Sequence, residues 1–276
     1  MANQDTRPIG VFDSGVGGLS VLREIRALLP HESLLYCADS GHAPYGDKSQ
    51  QLIRERSLEL AEFLVRHEAK AIVIACNTAT AAAARALRER WPNLPVIGME
   101  PAVKPAAAAT RGGTVGVLAT VGTLASAQFA ALLDTFGQDV HVVTQPGVGL
   151  VEAVERGELK AESTRHLLTA HLKPLLAAGA DVIVLGCTHY VFLRELVETI
   201  VGPAVKVIDT GAAVARQLDR RLAEAGHHAP EQAPRAVRFW CSGNPASVAH
   251  AIEVLWGERI WPDPLARSQV FRPGQH

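Results

Sequence analysis

The 276-residue chain has only four cysteines, Cys37, Cys76, Cys187 and Cys241, and no two of them form a CxxC pair. Neither a disulfide scaffold nor a zinc site built on paired thiolates is expected, and in a reducing compartment all four would be free thiols. Charge of one sign is missing too: 27 Lys and Arg stand against 28 Asp and Glu, a formal net charge of −1. A broad footprint for nucleic acid or an anionic membrane needs clustered cations, so neither partner is expected and a small molecule is. No apolar run reaches the roughly 18 residues that span a bilayer. The opening MANQDTRPIG has no basic segment followed by an apolar core, so a cytoplasmic protein is expected. Long polar low-complexity tracts are also lacking, and 48% hydrophobic with 20% charged residues predicts a chain that folds throughout.

Short β-branched runs recur, each followed by a helical pattern: Ile9 to Phe12, Ala71 to Ala75, Val115 to Leu118, Val182 to Leu185 and Val205 to Ile208. Amphipathic stretches such as Gln51 to His67 and Ser163 to Ala178 lie between them. This alternation is the pattern of parallel βα units, so the fold class is α/β. The sequence also repeats itself in order. IGVFDSGVGG from Ile9 resembles VGVLATVGTL from Val115, and AIVIACNTAT from Ala71 resembles DVIVLGCTHY from Asp181. Two pseudo-symmetric lobes follow, each a parallel-rich sheet flanked by helices, with the site in the cleft between them. The proline-bearing VIGMEPAVKPA places the boundary near Gly98 to Pro101. Residues 1–98 form the first lobe and 99–212 the second. The segment 213–276, with a helix to Ala225, a strand-like VRFWCSG and a helix from Pro245 to Trp256, has no counterpart in the repeat and is expected to pack back on the first lobe.

Ligands of open parallel sheets bind at the carboxyl ends of strands. Four such ends are polar here: Asp13-Ser14-Gly15, Cys76-Asn77-Thr78, Thr120-Val121-Gly122-Thr123 and Cys187-Thr188-His189. A lone cysteine closing an apolar strand is usually a small core residue. Two at matching repeat positions, each followed by hydrogen-bonding residues, favour chemistry instead. If they face each other, a thiolate removes a proton from one face of a carbon while a thiol delivers one to the other, which inverts the centre. Asp13 and His189 would tune the thiols, the carboxylate beside Cys76 and an imidazolium beside Cys187. The plainer alternatives are a helix cap for Asp13 and a packing histidine for His189.

The run Ser14 to Ser20, SGVGGLS, lacks both GK[ST] and GxGxxG spacing and is not a phosphate loop. Its N–H groups could instead hold a substrate carboxylate, together with the hydroxyls of Ser14, Thr78, Thr120, Thr123 and Thr188 and the Asn77 amide. Pro44-Tyr45-Gly46 marks a tight turn that could bring Tyr45 and Gly46 over a ligand, although a surface turn would read the same.

Taken together, FDSGVGGLSV, YCADSGHAPYGDKS, ACNTATA, GMEPAVKPA, ATVGT and GCTHY resemble the glutamate racemases of the aspartate/glutamate racemase family, over most of the chain. The resemblance implies a two-lobed isomerase that needs no cofactor and no metal, acts on glutamate, supplies D-glutamate for peptidoglycan and pairs as a homodimer. It assigns catalysis to Cys76, Cys187, Asp13 and His189, with Cys76 serving the D-enantiomer and Cys187 the L-enantiomer. It assigns substrate contacts to Asp13, Ser14, Tyr45, Gly46, Asn77, Thr78, Thr188 and His189, joined by Thr120 and Thr123, and it matches Asp39 to a family acid. There are departures: Val191 replaces a proline, Ala119 a glycine, and Glu152 and Glu155 compete for one auxiliary position, with Glu155 favoured. Aspartate racemases share the two-cysteine plan but typically carry an acid where His189 stands. The competing readings are a racemase of another amino acid such as aspartate, an amino-acid-binding protein without turnover, and a thiol redox enzyme, which the lack of CxxC disfavours.

Overall fold

The computed structural model describes residues 5–233 and 235–265. The chain lays down β1 (Ile9–Asp13), β2 (Leu34–Ala38), β3 (Ala71–Ile74) and β4 (Val96–Ile97), then β5 (Thr114–Ala119), β6 (His141–Pro146), β7 (Val182–Gly186) and β8 (Lys206–Ile208). It ends with β9 (Val237–Cys241) and β10 (Asp263–Pro264). The helices are α1 (Leu19–Leu28), α2 (Gln50–Arg66), α3 (Asn77–Arg90), α4 (Val103–Ala109), α5 (Val121–Leu124), α6 (Ala127–Phe136), α7 (Leu150–Glu155), α8 (Glu162–Ala177), α9 (Arg194–Val201), α10 (Gly211–Ala225) and α11 (Pro245–Trp256).

Two sheets form, both parallel in every described pairing. Their strand orders are β10-β9-β2-β1-β3-β4 and β6-β5-β7-β8. Four consecutive strands of the first sheet and the whole of the second therefore share one winding, β2-β1-β3-β4 against β6-β5-β7-β8. The sequence repeat is a repeat of topology: β1 lies beside β3 as β5 lies beside β7. The C-terminal segment breaks the symmetry by pairing β9 with β2, Leu34 opposite Val237 through Ala38 opposite Cys241. Helix α10 packs on α1.

The pleat decides where each side chain goes, since successive residues of a strand face opposite sides. On β1 and β3, Val11, Val73 and Ala75 enter a core that runs through both lobes, while Phe12, Ile72, Ile74 and Cys76 enter one under α2 and α3. On β7, Ile183, Leu185 and Cys187 face the shared core, and Val182 and Val184 face a smaller core with α4 and α6 residues. Both faces of each central strand are buried, which is why those runs are apolar without alternation. The sequence does not announce β6, whose residues are only partly buried or exposed at the edge of the sheet, or β4 and β10, two residues each. No described helix is long and apolar enough to cross a membrane.

Candidate active site

One small cavity opens where the carboxyl ends of the two sheets meet. It is lined by Ser14, Pro44, Tyr45, Gly46, Cys76, Asn77, Thr78, Thr120, Thr123, Val151, Gly186, Cys187, Thr188 and His189. Of the twelve residues that the sequence puts forward for catalysis or substrate contact, eleven are in this lining; the twelfth, Asp13, precedes Ser14 and is fully buried. The cavity measures about 10 Å³, room for about one water.

Cys76 sits between β3 and α3 and caps the helix with its own sulfur, accepting from Ala79 N–H at 3.4 Å. Its thiol donates to Ser14 Oγ at 3.8 Å. Burial pushes this thiol well above its ordinary value and the Asp13 charge adds to it, more than the Ala79 N–H takes back. Asp13 accepts from Ser14 N–H and Gly18 N–H, each at 2.7 Å. Burial raises its carboxyl, against the pull of His189 and those two N–H groups.

Cys187 leaves β7 into a short 3₁₀ turn, His189–Leu193. His189 is 1% exposed, with Nδ1 3.8 Å from Cys187 Sγ and Nε2 2.6 Å from Glu155 Oε1. Burial alone would lower its basicity, but the bonds to Cys187 and Glu155 outweigh it and hold His189 well above an ordinary histidine, as an imidazolium. Gly17 N also lies 3.2 Å from Nε2. While the Nε2 proton points at Glu155, that approach finds no acceptor.

The glycine-rich turn does hold a carboxylate, but the protein's own. Val16 N–H donates to Glu155 Oε1 at 2.8 Å, and Asp13 takes the N–H groups of Ser14 and Gly18, so these three donors are not left for a ligand. The glycines are there for room. A Cβ at Gly15 would lie 1.8 Å from Glu155 Oε1, and one at Gly17 would lie 2.2 Å from His189 Nδ1. Glu152 and Glu155 stand apart: Glu155 meets His189, and Glu152 lines a separate outer hollow with Val148 and Tyr190.

Across the cavity Thr78, Thr120 and Thr123 join their hydroxyls at 2.9, 3.1 and 2.9 Å, tying α3 of the first lobe to the β5–α5 turn of the second. Both polar atoms of the Asn77 amide are buried without a hydrogen-bond partner among the described residues. Such an amide is costly unless something else bonds it, and it lies in the cavity wall. Tyr45 reaches the site because its hydroxyl donates to Asp39 Oδ2 at 2.6 Å. Asp39 is fully buried and grips Arg56 through both oxygens, at 3.0 and 2.7 Å. Burial would raise the Asp39 carboxyl, yet the Arg56 guanidinium holds it below the ordinary range. Arg56, on α2, carries no sequence signal of this role. Among the described residues no group of three His, Cys, Asp or Glu could hold a metal ion.

Comparison with known proteins places the chain in a family. The family described as Asp/Glu/hydantoin racemase matches residues 9–218. A glutamate racemase of Ectopseudomonas mendocina is 61% identical over 257 residues, 93% of this chain and 97% of that one. Among solved structures, glutamate racemase from Francisella tularensis in complex with D-glutamate superposes with a TM-score of 0.82 at 29% identity, covering 96% of this chain and 98% of that one. Escherichia coli glutamate racemase in complex with L-glutamate and the activator UDP-MurNAc-ala gives 0.81 at 32% identity, covering 94% and 97%. The chain belongs to the Asp/Glu/hydantoin racemase family and, within it, to the glutamate racemases.

Proposed function

We propose that this chain interconverts L-glutamate and D-glutamate without a cofactor, by proton transfer between the substrate α-carbon and two thiols. The observation that carries the reading is that Cys76 and Cys187, closing matched strands of two matched lobes, share one cavity. With glutamate between them, one sulfur as thiolate takes the α-proton while the other, as thiol, gives its proton to the opposite face. The carbon inverts, and the proton inventory of the two sulfurs is exchanged. Return through the opposite direction of reaction, or exchange with solvent, restores the starting state.

Cys187, partnered by the His189 imidazolium, takes the proton of the L-enantiomer, and Cys76, beside Asp13, takes that of the D-enantiomer. The unpartnered Asn77 amide, Ser14, Thr78, Thr120, Thr123, Thr188 and the Tyr45-Gly46 turn hold the substrate's charged ends. The lobe of residues 1–98 with 213–276, of which 1–4, 234 and 266–276 lie outside the described residues, and the lobe of residues 99–212 separate to admit it. The reaction supplies D-glutamate for peptidoglycan in the cytoplasm, and the working unit is a homodimer.

The test is incubation of the purified chain with L-glutamate or L-aspartate in heavy water without added cofactor. Optical rotation and α-deuterium are followed together. Both should change for glutamate alone. Activity on aspartate only would reassign the substrate, and exchange on neither would leave a binding role.

A further inference from the structure

We propose that Tyr36 is a positioning residue for the Cys187 half of the site, acting through a single peptide unit. Its hydroxyl donates to the Gly15 carbonyl at 2.8 Å. The N–H of that same peptide, on Val16, donates to Glu155 Oε1 at 2.8 Å. A carbonyl and the following N–H share one rigid plane, so the phenol sets the angle at which the N–H meets the carboxylate and polarises it. Glu155 Oε1 in turn takes the Nε2 proton of His189 at 2.6 Å, and Nδ1 faces Cys187 Sγ at 3.8 Å. A continuous chain therefore begins on β2 in the first lobe and ends at the cysteine of the second.

The hydroxyl serves no packing purpose that a phenylalanine ring would not. Tyr36 is 1% exposed and its ring packs against Phe239 at 5.9 Å. A buried hydroxyl is a cost unless bonded, and this one is bonded to the Gly15 carbonyl. The groups that face this chain are Asp13 of β1, Cys76 beyond β3, Cys37 beside Tyr36, and Glu155 with His189 and Cys187 of the second lobe. Burial, with the negative charges of Asp13 and Glu155, keeps the phenol protonated and donating. Gly18 sits at the crossing, where a Cβ would meet Tyr36 Oη at 2.9 Å and the Asp13 side chain at 2.8 Å.

This rests on the reading that Cys187 exchanges the α-proton. The experiment compares wild type, Tyr36→Phe, Glu155→Gln, the double variant, and Thr164→Val as a control. Thr164 loses an equally buried hydroxyl bond, to the Glu158 carbonyl at 2.7 Å, away from the cavity. Steady-state racemisation is measured across pH in both directions. Tyr36→Phe should lower kcat about fivefold, the worth of one hydrogen bond, with KM nearly unchanged. It should also move by half a unit or more the same pH limb that Glu155→Gln moves, and add little to Glu155→Gln in the double variant. Thr164→Val should cost thermal stability and leave that limb in place. An unmoved limb in Tyr36→Phe, or losses that simply multiply in the double variant, would overturn the proposal with the two-thiol reading intact. Absence of α-exchange in the wild type would remove both.

Discussion

Cys76 and Cys187 leave their sheets at corresponding places, β3 beside β1 and β7 beside β5, yet their surroundings are opposite in charge. Cys76 has a helix N-terminus in front of it and the Asp13 carboxylate behind, and burial with that carboxylate keeps the thiol protonated. Cys187 has no helix N-terminus but an imidazolium, held by Glu155 from α7. A symmetric reaction does not require symmetric auxiliaries. On the proposed two-thiol reading, what must match is the placement of two sulfurs about one carbon, and the repeated strands bring both sulfurs to one cavity.

The largest effects should come from breaking either half outright. Cys76→Ser and Cys187→Ser should each abolish racemisation in both directions, a loss on the order of 10²-fold to 10⁴-fold. They should differ in which enantiomer still exchanges its α-proton in heavy water: L for Cys76→Ser, D for Cys187→Ser. The same residual behaviour in both variants would erase the contrast between the halves.

Glu155→Gln should cost activity next most, roughly tenfold to a hundredfold, the worth of a charged hydrogen bond of about 1.5–3 kcal/mol. The sign of its pH effect follows from His189, whose folded pKa is raised. Stability from this pair is complete below the unfolded value, about 6.5, and is lost as pH climbs through the higher folded value. Thermal melts across pH should show that alkaline loss in the wild type and a flatter profile in Glu155→Gln.

Gly17→Ala tests whether the halves are independent. The glycine belongs to the first lobe, but a Cβ there runs into His189 of the second, so the change should impair the Cys187 half and cost about 1–3 kcal/mol in stability through overpacking. An intact His189 titration by NMR in a folded Gly17→Ala protein would contradict the contact.

The smallest effect is expected at Asp39→Asn, which frees Arg56 and loosens Tyr45 without touching either sulfur. KM should rise a few-fold, about the worth of one hydrogen bond, with kcat nearly steady. Because the Asp39 carboxyl is depressed, its contribution to stability is present above the ordinary value of 3.8 and lost as pH falls through the folded one. Acid melts of the variant should lack that part of the loss.

Much of this was legible in the chain because it is local or repeated. Apolar runs closed by polar residues mark strands and their carboxyl ends, and two such pairs in order mark two like lobes. That is enough to nominate Asp13, Cys76, Cys187 and His189 for one cavity. Edge strand β6 escaped notice because a strand exposed on one side carries no continuous apolar run. Arg56 escaped because a guanidinium on an amphipathic helix looks like any solvated face.

The sequence by itself determined the βα alternation, the two-lobe repeat and the residue types at each strand end, since these depend on spacing along the chain. Tertiary structure alone decided that Glu155 and not Glu152 meets His189, that the N–H groups of Ser14, Val16 and Gly18 are taken by Asp13 and Glu155, and that the Tyr36 hydroxyl meets the Gly15 carbonyl. The contacts of Glu155 and Tyr36 join residues far apart in the chain. Helical periodicity leaves both glutamates equally plausible, and a hydroxyl's partner is set by which backbone the folded core brings within 3 Å of it.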